Sequence, residues 1–508
     1  MTSPSPIPIS EAAQIVELQK KLAWAELKIQ MLEERLRQER IKKYGPGSEK
    51  LNDAQLQLLD LEPGVSNAEV QAESQREPLP ATPEKQPQRR KHPGRQNLPA
   101  GLARVERVIA CTPEQCTCKT CGQAKAVVGY DVSEQLDVEP AQYFVMVTKR
   151  EKRACKHCEE GGVAAAPVPE RIIEKSLVSD RVVIDTVVAK YSDHLPLYRQ
   201  SAILEREAGV EIGRATLDGW VMRVGELLNP IVDVMRRELL GGSYIQADET
   251  PVDVQLHDGR GQNHQAYLWQ YSQPGGGVVF DFCLGRGREG PKEFLGQFEG
   301  ILQTDGYAAY DRVGGPKLVH AGCWAHARRK FFDAVQLNPN DAVATRIVKR
   351  IDELFGIDAV AREEKLDHAA RHVLRLERAK PLAETIRGEV EAAGNACLPS
   401  SALGKATHYT LSQWKKLTRF LDHAELELSN NLAENSMRPV ALGRKNWIHV
   451  GSQKAGPKVA AILSIVETCR RMKIPIRAYL AAVLPGIADV PIQRLVGLTP
   501  VAWAGRQQ

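Results

Sequence analysis

Three acidic residues carry the most chemistry in this chain: Asp248 in YIQADETPV, Asp305 in LQTDGYAAY and Glu434 in NNLAENSMRP. Each aspartate ends a short β-branched or apolar run, the place where a strand delivers a side chain to a sheet edge. The glutamate sits in polar sequence of helical character. Carboxylate oxygens are what a hard cation takes as ligands. Three of them brought together from distant segments suit a pair of Mg²⁺ ions, which can clamp the attacking and leaving oxygens of a phosphodiester. The residues therefore predict a core that cuts and joins DNA.

A second constellation is made of sulfur. Cys118 and Cys121, then Cys155 and Cys158, form two C-x-x-C knuckles. Each knuckle turns two thiolates toward one tetrahedral ion, and four thiolates leave no open position, so the spacing predicts a structural Zn²⁺. Cys111 and Cys116 lie near enough to substitute as ligands. Cys323 and His326 also have metal-like spacing but lack a second pair nearby, so they read as a structural helix start beside the active site. Gly285 to Gly290 spells a literal G-x-G-x-x-G. A dinucleotide site would need further parallel strand–helix repeats, and the sequence after 320 is mostly helical. Arg286 and Arg288 are read instead as phosphate contacts or loop decoration.

These residues need elements to position them. SYIQADETPVDVQL, AYLWQYS and VVFDFCL read as three antiparallel strands, PKEFLGQFEG as a helix, and ILQTD as a fourth strand ending in Asp305. Acids on the first and fourth strands, which lie side by side in a ribonuclease-H-like sheet, would share metals. In NNLAENSMRPVALGRKNW, helical spacing puts Glu434, Arg438, Ala441 and Lys445 on one face, with Pro439 marking a kink or an end. The fold expected is multidomain α+β. Residues 1–60 hold a coiled-coil helix, 61–100 a flexible basic linker and 101–165 the zinc module. Residues 166–240 are helical, with a helix-turn-helix-like break at Gly209. The ribonuclease-H-like core occupies 241–335 and 428–468, interrupted by an all-α insertion over 336–427, and 469–508 form a C-terminal tail. The coiled coil rests on Ile15, Leu18, Leu22, Ala25, Ile29, Leu32 and Leu36, spaced alternately by three and four with charges on the other faces. It predicts a homo-oligomer.

At 508 residues the chain has room for several cores. A net charge of +5 is only mildly basic, so the distribution of charge matters more than its sum. Arg89, Arg90, Lys91 and Arg95 cluster in QRRKHPGR, and Lys149, Arg150, Lys152 and Arg153 in TKREKRAC. The first cluster, with Arg328, Arg329, Arg438, Arg444 and Lys445, forms the set of expected DNA contacts. No signal-peptide pattern and no bilayer-length apolar run is present. The expectation is a cytoplasmic, nucleoid-associated protein with no membrane partner, whose cysteines bind metal or stay as thiols.

Taken in order, ADETPV, LQTDGYAAY, GCWAHARRKF, NNLAENSMRP, RKNW and VGS resemble the DDE transposases of the insertion-sequence-66 type. The likeness extends upstream through KYGPGSEKL, PGRQNLP, GYDVSEQLDVEPAQYFV and KYSDHLPLYRQ, and downstream into ETCRRMKIPIRAYL. The resemblance implies Asp248, Asp305 and Glu434 as catalytic acids holding Mg²⁺, the four knuckle cysteines as zinc ligands, and accessory proteins from the same element. Ser429 stands where such proteins usually carry an acid, and Asn435 where arginine usually follows the glutamate. Two rivals share some of these features: a ribonuclease-H-like junction resolvase, and a DNA-binding scaffold without activity.

Overall fold

The computed structural model describes residues 163–256 and 263–506, together with 142–154 and scattered upstream positions, several of them between 18 and 36. The chain divides into two compact units, Ala81–Val145 and the remainder. In the smaller unit, Pro113–Cys116 forms a single helical turn. The four knuckle cysteines, Arg89, Arg90, Lys91 and Arg95 lie outside the described residues.

A mixed sheet organises the larger unit. β1 (Tyr244–Gln255), β2 (His264–Ser272) and β3 (Val278–Cys283) form an antiparallel meander, and β4 (Ile301–Gln303) and β5 (Val319–Ala321) run parallel to β1 on its other side. The spatial order is β3-β2-β1-β4-β5. The break before β3 is turn-forming Pro274-Gly275-Gly276, with Gly275 left-handed at φ +74°. β4 pairs only with Tyr244–Gln246 of β1, whereas a sixth strand, β6 (His449–Ser452), pairs with Asp253 and Gln255 at the far end. Along that edge β1 is left open between the two partners, and Asp248 lies in the opening.

Helices cover both ends of this frame. α1 (Asp180–Tyr191), α2 (Leu197–Ala208) and α3 (Arg214–Leu240) precede the sheet, and α4 (Glu289–Leu295) lies between β3 and β4. The break falls at Gly209, left-handed at φ +64°. α3 runs 27 residues, and its Val221, Val224, Leu228 and Ile231 bury into the same apolar cluster as the sheet. The helical segment is thus continuous with the core. α11 (Gly456–Arg471) is buried almost all round and lies between α3 and β3. Ser464 Oγ accepts from Phe280 N (2.8 Å), and Thr468 Oγ1 accepts from Val278 N (2.9 Å). These hydroxyls satisfy an edge strand that would otherwise present bare amides. Gly225 permits the close crossing, because a Cβ there would sit 2.6 Å from Lys458 O.

Between β5 and β6 comes a helical layer. It comprises α5 (Trp324–Leu337), α6 (Ala342–Glu363), α7 (His368–Leu374), α8 (Lys380–Ala396) and α9 (Ala402–Ser412) around Phe331, Phe355, Ile386 and Ala406. Asp341 and Ser401 cap α6 and α9 through their side chains. A buried ion cluster ties the layer together: Arg371 and Arg375 both contact Asp358 at 2.7 Å, and Arg371 reaches Glu427 at 3.1 Å. α10 (Asn431–Trp447) then returns across β1.

Candidate active site

Each acid arrives on a different element. Asp248 projects from β1, Asp305 follows β4 by two residues, and Glu434 occupies the first turn of α10. The strand expected to end in Asp305 stops at Gln303, because the chain turns there. Asp305 Oδ1 accepts from Tyr307 N at 2.8 Å, and Gly306 takes φ +92°, which an L side chain resists. Pro439 does not end the expected helix, which continues to Trp447. Glu434, Arg438, Ala441 and Lys445 accordingly fall on its less buried face.

A buried polar clamp explains why these three elements meet. Gln246 lies two residues before Asp248, and Gln303 two before Asp305; neither side chain is exposed. Gln246 Nε2 donates to Gln303 Oε1 (2.9 Å) and to Ser429 O (3.0 Å). Gln303 Nε2 donates to Gly322 O (3.0 Å) and Glu427 O (2.7 Å), and Tyr244 OH donates to Gln303 Oε1 (2.5 Å). Side chains of β1 and β4 thus grip the backbone leading into α10. Arg444 stitches the other end, donating to Thr250 Oγ1 (2.9 Å) and Pro251 O (2.7 Å).

The electrostatics call for positive charge. Burial, then the charges of Glu434, Glu249 and Asp305, push the Asp248 carboxyl well above the usual carboxylate range, only partly offset by a backbone hydrogen bond from Glu249. Glu249 is served separately: Arg286 binds it at 2.7 Å, Tyr310 OH donates to it at 3.0 Å, and the guanidinium stacks 4.1 Å over the Tyr307 ring. Arg286 of the glycine-rich loop is therefore held at the site through a neighbouring acid. Glu434 Oε1 is a buried atom with no hydrogen-bond partner. Hard oxygen donors that repel one another, one of them orphaned, fit divalent cations such as Mg²⁺.

Cys323 and His326 do mark a helix start, and they also face Glu434. His326 Nδ1 lies 3.5 Å from Glu434 Oε1. Burial opposes a charge on that imidazole, but the Cys323 sulfur and the Glu434 carboxylate outweigh it and push His326 up to about 10. Tyr409, from the helical layer, closes the site by donating to Asp305 O at 2.5 Å.

Among the expected DNA contacts, Arg328 is corrected. It is 2% exposed, and its guanidinium faces Asp352 at 2.5 Å, so it holds α5 to α6 and cannot reach a DNA backbone. Arg444 fastens α10 to β1, as above. Arg329 and Arg438 are partly buried, and Lys445 is exposed. Sequence reasoning did not single out Glu249, Tyr310 or Tyr409. The first two sit inside motifs already quoted, beside Asp248 and Asp305. Tyr409 had no signal, since 104 positions separate it from its partner.

Residues 175–458, which include all three acids, match the family described as Transposase IS66 family. Residues 115–159 match the zinc-finger binding domain of transposase IS66, and 31–107 the Transposase C of IS166 homeodomain. The zinc-finger match supports a structural zinc and, with the other two, DNA as a partner. Relatives include two proteins from Sinorhizobium fredii (strain NBRC 101917 / NGR234). Uncharacterized protein y4hP is 30% identical over 507 residues, covering 94% of this chain and 88% of the relative. Uncharacterized protein y4qI is 32% identical over 479 residues, covering 90% and 86%. No helix among the described residues is long and apolar enough to cross a membrane. Its central match spans the sheet, the helical layer and the acid-bearing return helix, and on that match the chain belongs to the IS66 transposase family.

Proposed function

We propose that this transposase works by DDE chemistry, with Asp248, Asp305 and Glu434 as its metal-holding acids. The observation that carries the reading is the shared field at Asp248, where Glu434 and Asp305, delivered by two other elements, both act on its carboxyl. The strand order β3-β2-β1-β4-β5, antiparallel then parallel, supports a ribonuclease-H-like core. A pair of Mg²⁺ ions, when bound, supplies the charge that favours a water or hydroxyl nucleophile and steadies the leaving oxygen. The chain's own part is to fix the carboxylates through the glutamine clamp, to hold Asp305 in its turn by Tyr409, and to neutralise Glu249 with Arg286. The reaction is hydrolysis of a phosphodiester at an element end, freeing a 3′-hydroxyl, then attack of that hydroxyl on a target phosphodiester, whose own 3′-oxygen leaves as the new bond forms. No side-chain nucleophile is required.

Around this core, Cys118, Cys121, Cys155 and Cys158 hold Zn²⁺. The matched finger spans all four and Cys116 but leaves Cys111 outside. Arg89, Arg90, Lys91 and Arg95, with Arg329, Arg438 and Lys445, contact phosphates. Leu18, Leu22, Ile29, Leu32 and Leu36 lie at helical positions and are each more than half exposed, which supports a coiled coil joining protomers so that two ends are held together. Small accessory proteins of the same element and a nucleoid location complete the reading. Purified protein with Mg²⁺ should cleave and join a labelled element-end duplex, and Asp248→Asn and Glu434→Gln should each reduce both steps at least about a hundredfold. Unchanged joining by Asp248→Asn would refute the assignment. Cutting of branched DNA without joining would identify a resolvase, and binding alone a scaffold.

A further inference from the structure

We infer that Cys323, His326 and Glu434 form a second cation site, suited to a borderline-soft divalent ion such as Zn²⁺ and built on the same glutamate. One donor atom from each residue lies within 4.8 Å of the others. His326 Nδ1 and Glu434 Oε1 are 3.5 Å apart, and both are buried without a hydrogen-bond partner. Two ligands bound tetrahedrally to zinc at its usual N and O distances stand roughly 3.4 Å apart, so this pair is already spaced for an ion between them.

The donor set decides the kind of ion. Thiolate and imidazole select zinc over magnesium. The Cys323 thiolate and the Glu434 carboxylate together cancel a divalent charge, which matters because Cys323 is fully buried. The scaffold is firm on both sides of the cysteine: Gly322 N donates to Lys416 O (3.0 Å), Trp324 N to Leu428 O (2.8 Å) and Trp324 Nε1 to Leu417 O (2.8 Å). Cys323 precedes α5, and His326 follows within its first turn, so the C-x-x-H spacing needs no rearrangement. Three protein ligands leave a fourth position open.

Zinc bound here takes up Glu434 Oε1 and part of that carboxylate's charge, so zinc competes with Mg²⁺-supported cleavage; this consequence rests on the catalytic reading above, while the binding itself does not.

The test uses the full chain with zinc already in its finger, titrated with Co²⁺ and followed by thiolate-to-cobalt charge-transfer absorption. The wild type should develop the band, Cys323→Ser should not, and His326→Gln should need at least about tenfold more Co²⁺, since even outer-shell changes cost 10–100-fold. No band in the wild type, or an undiminished band in Cys323→Ser, overturns the site. If Cys323→Ser fails to fold by circular dichroism, His326→Gln decides. In cleavage assays scaled to each protein's zinc-free rate, Zn²⁺ should inhibit the wild type at concentrations at least about tenfold lower than Cys323→Ser. Zinc-insensitive cleavage would overturn the sharing of Glu434. If no protein cleaves at all, the DDE reading fails, and the cobalt titration still decides the site.

Discussion

Asp248→Asn should abolish DNA cleavage and yet make the metal-free protein more stable. The wild-type carboxyl sits among Glu434, Glu249 and Asp305, and burial adds to their repulsion. A like-charge pair 4–8 Å apart at an effective dielectric of about 20 costs about 2–4 kcal/mol. Asp248 retains partial solvent access, and it escapes part of the repulsion by holding a proton, so the net gain from a neutral amide is on the order of 1 kcal/mol. The sign follows from the folded-state value lying above the unfolded one. Ionisation costs folding stability as pH rises between the two values, so the variant's advantage is full at high pH and vanishes below the unfolded carboxyl value of about 3.9. Near pH 8, in chelator, Asp248→Asn should melt roughly 1 °C above the wild type. Mg²⁺ at about a hundred times its dissociation constant should then raise the wild type by about 2.7 kcal/mol, or roughly 4 °C, and the variant by much less. Differential scanning calorimetry in both conditions gives the four melts. A variant that melts below the wild type without metal, or that Mg²⁺ stabilises equally, would refute the argument that these acids form an uncompensated cation site.

Gln246→Leu removes the donor to Ser429 O but also an amide oxygen that has no partner. Stability should fall by only about 1 kcal/mol in urea titrations, whereas cleavage should fall at least about tenfold, because small misplacements of reacting groups are costly. Asp358→Ala strands Arg375, which is 1% exposed, and should cost about 3–5 kcal/mol. Burial alone would raise the Asp358 carboxyl, but Arg375 and then Arg371 outweigh it and hold it below the usual range. Its stabilisation is therefore present above about pH 3.9 and lost as pH falls through the depressed value, so urea midpoints of wild type and variant should converge only in strong acid. Leu22→Asp with Ile29→Asp places four charges in a paired seam. At about 1.5–3 kcal/mol per buried side chain, association should weaken at least about ten-thousandfold, read by sedimentation equilibrium, and an unchanged mass would dismiss the coiled coil.

The strands of the meander were legible because each alternates or runs apolar between turn-forming residues, and the first acid was legible because it interrupts such a run. Glu434 was legible as a helical acid meant to join the two aspartates, but the route that brings it to Asp248 was not. Nothing local in NNLAENSMRP says which sheet edge its helix will cross. That information resides in Gln246 and Gln303, two buried amides whose partners lie across the chain, in the backbone of Gly322, Glu427 and Ser429. Polar residues inside strands read as surface, and only the return of the 427–430 segment makes them interior. Arg328 shows the converse error: a run of Arg-Arg-Lys after a helix start looks like a phosphate-binding face, but α5 turns its first arginine toward Asp352 and only Lys330 is exposed.

The same logic explains why C-x-x-H looked incomplete. A motif search along the chain asks for a second pair nearby in sequence, whereas here the third donor arrives on another element and already has a role of its own. If both proposals hold, Glu434 is a residue on which two kinds of ligand set overlap, hard oxygens with Asp248 and Asp305 and softer donors with Cys323 and His326. Which ion the glutamate serves is then a matter of ligand chemistry and ion availability rather than affinity alone. A replacement that keeps the carboxylate but shortens its reach, Glu434→Asp, pulls it back from both sets together. It should therefore weaken Co²⁺ binding and Mg²⁺-dependent cleavage in the same variant. Loss of one without the other would mean that the two sets do not share this side chain.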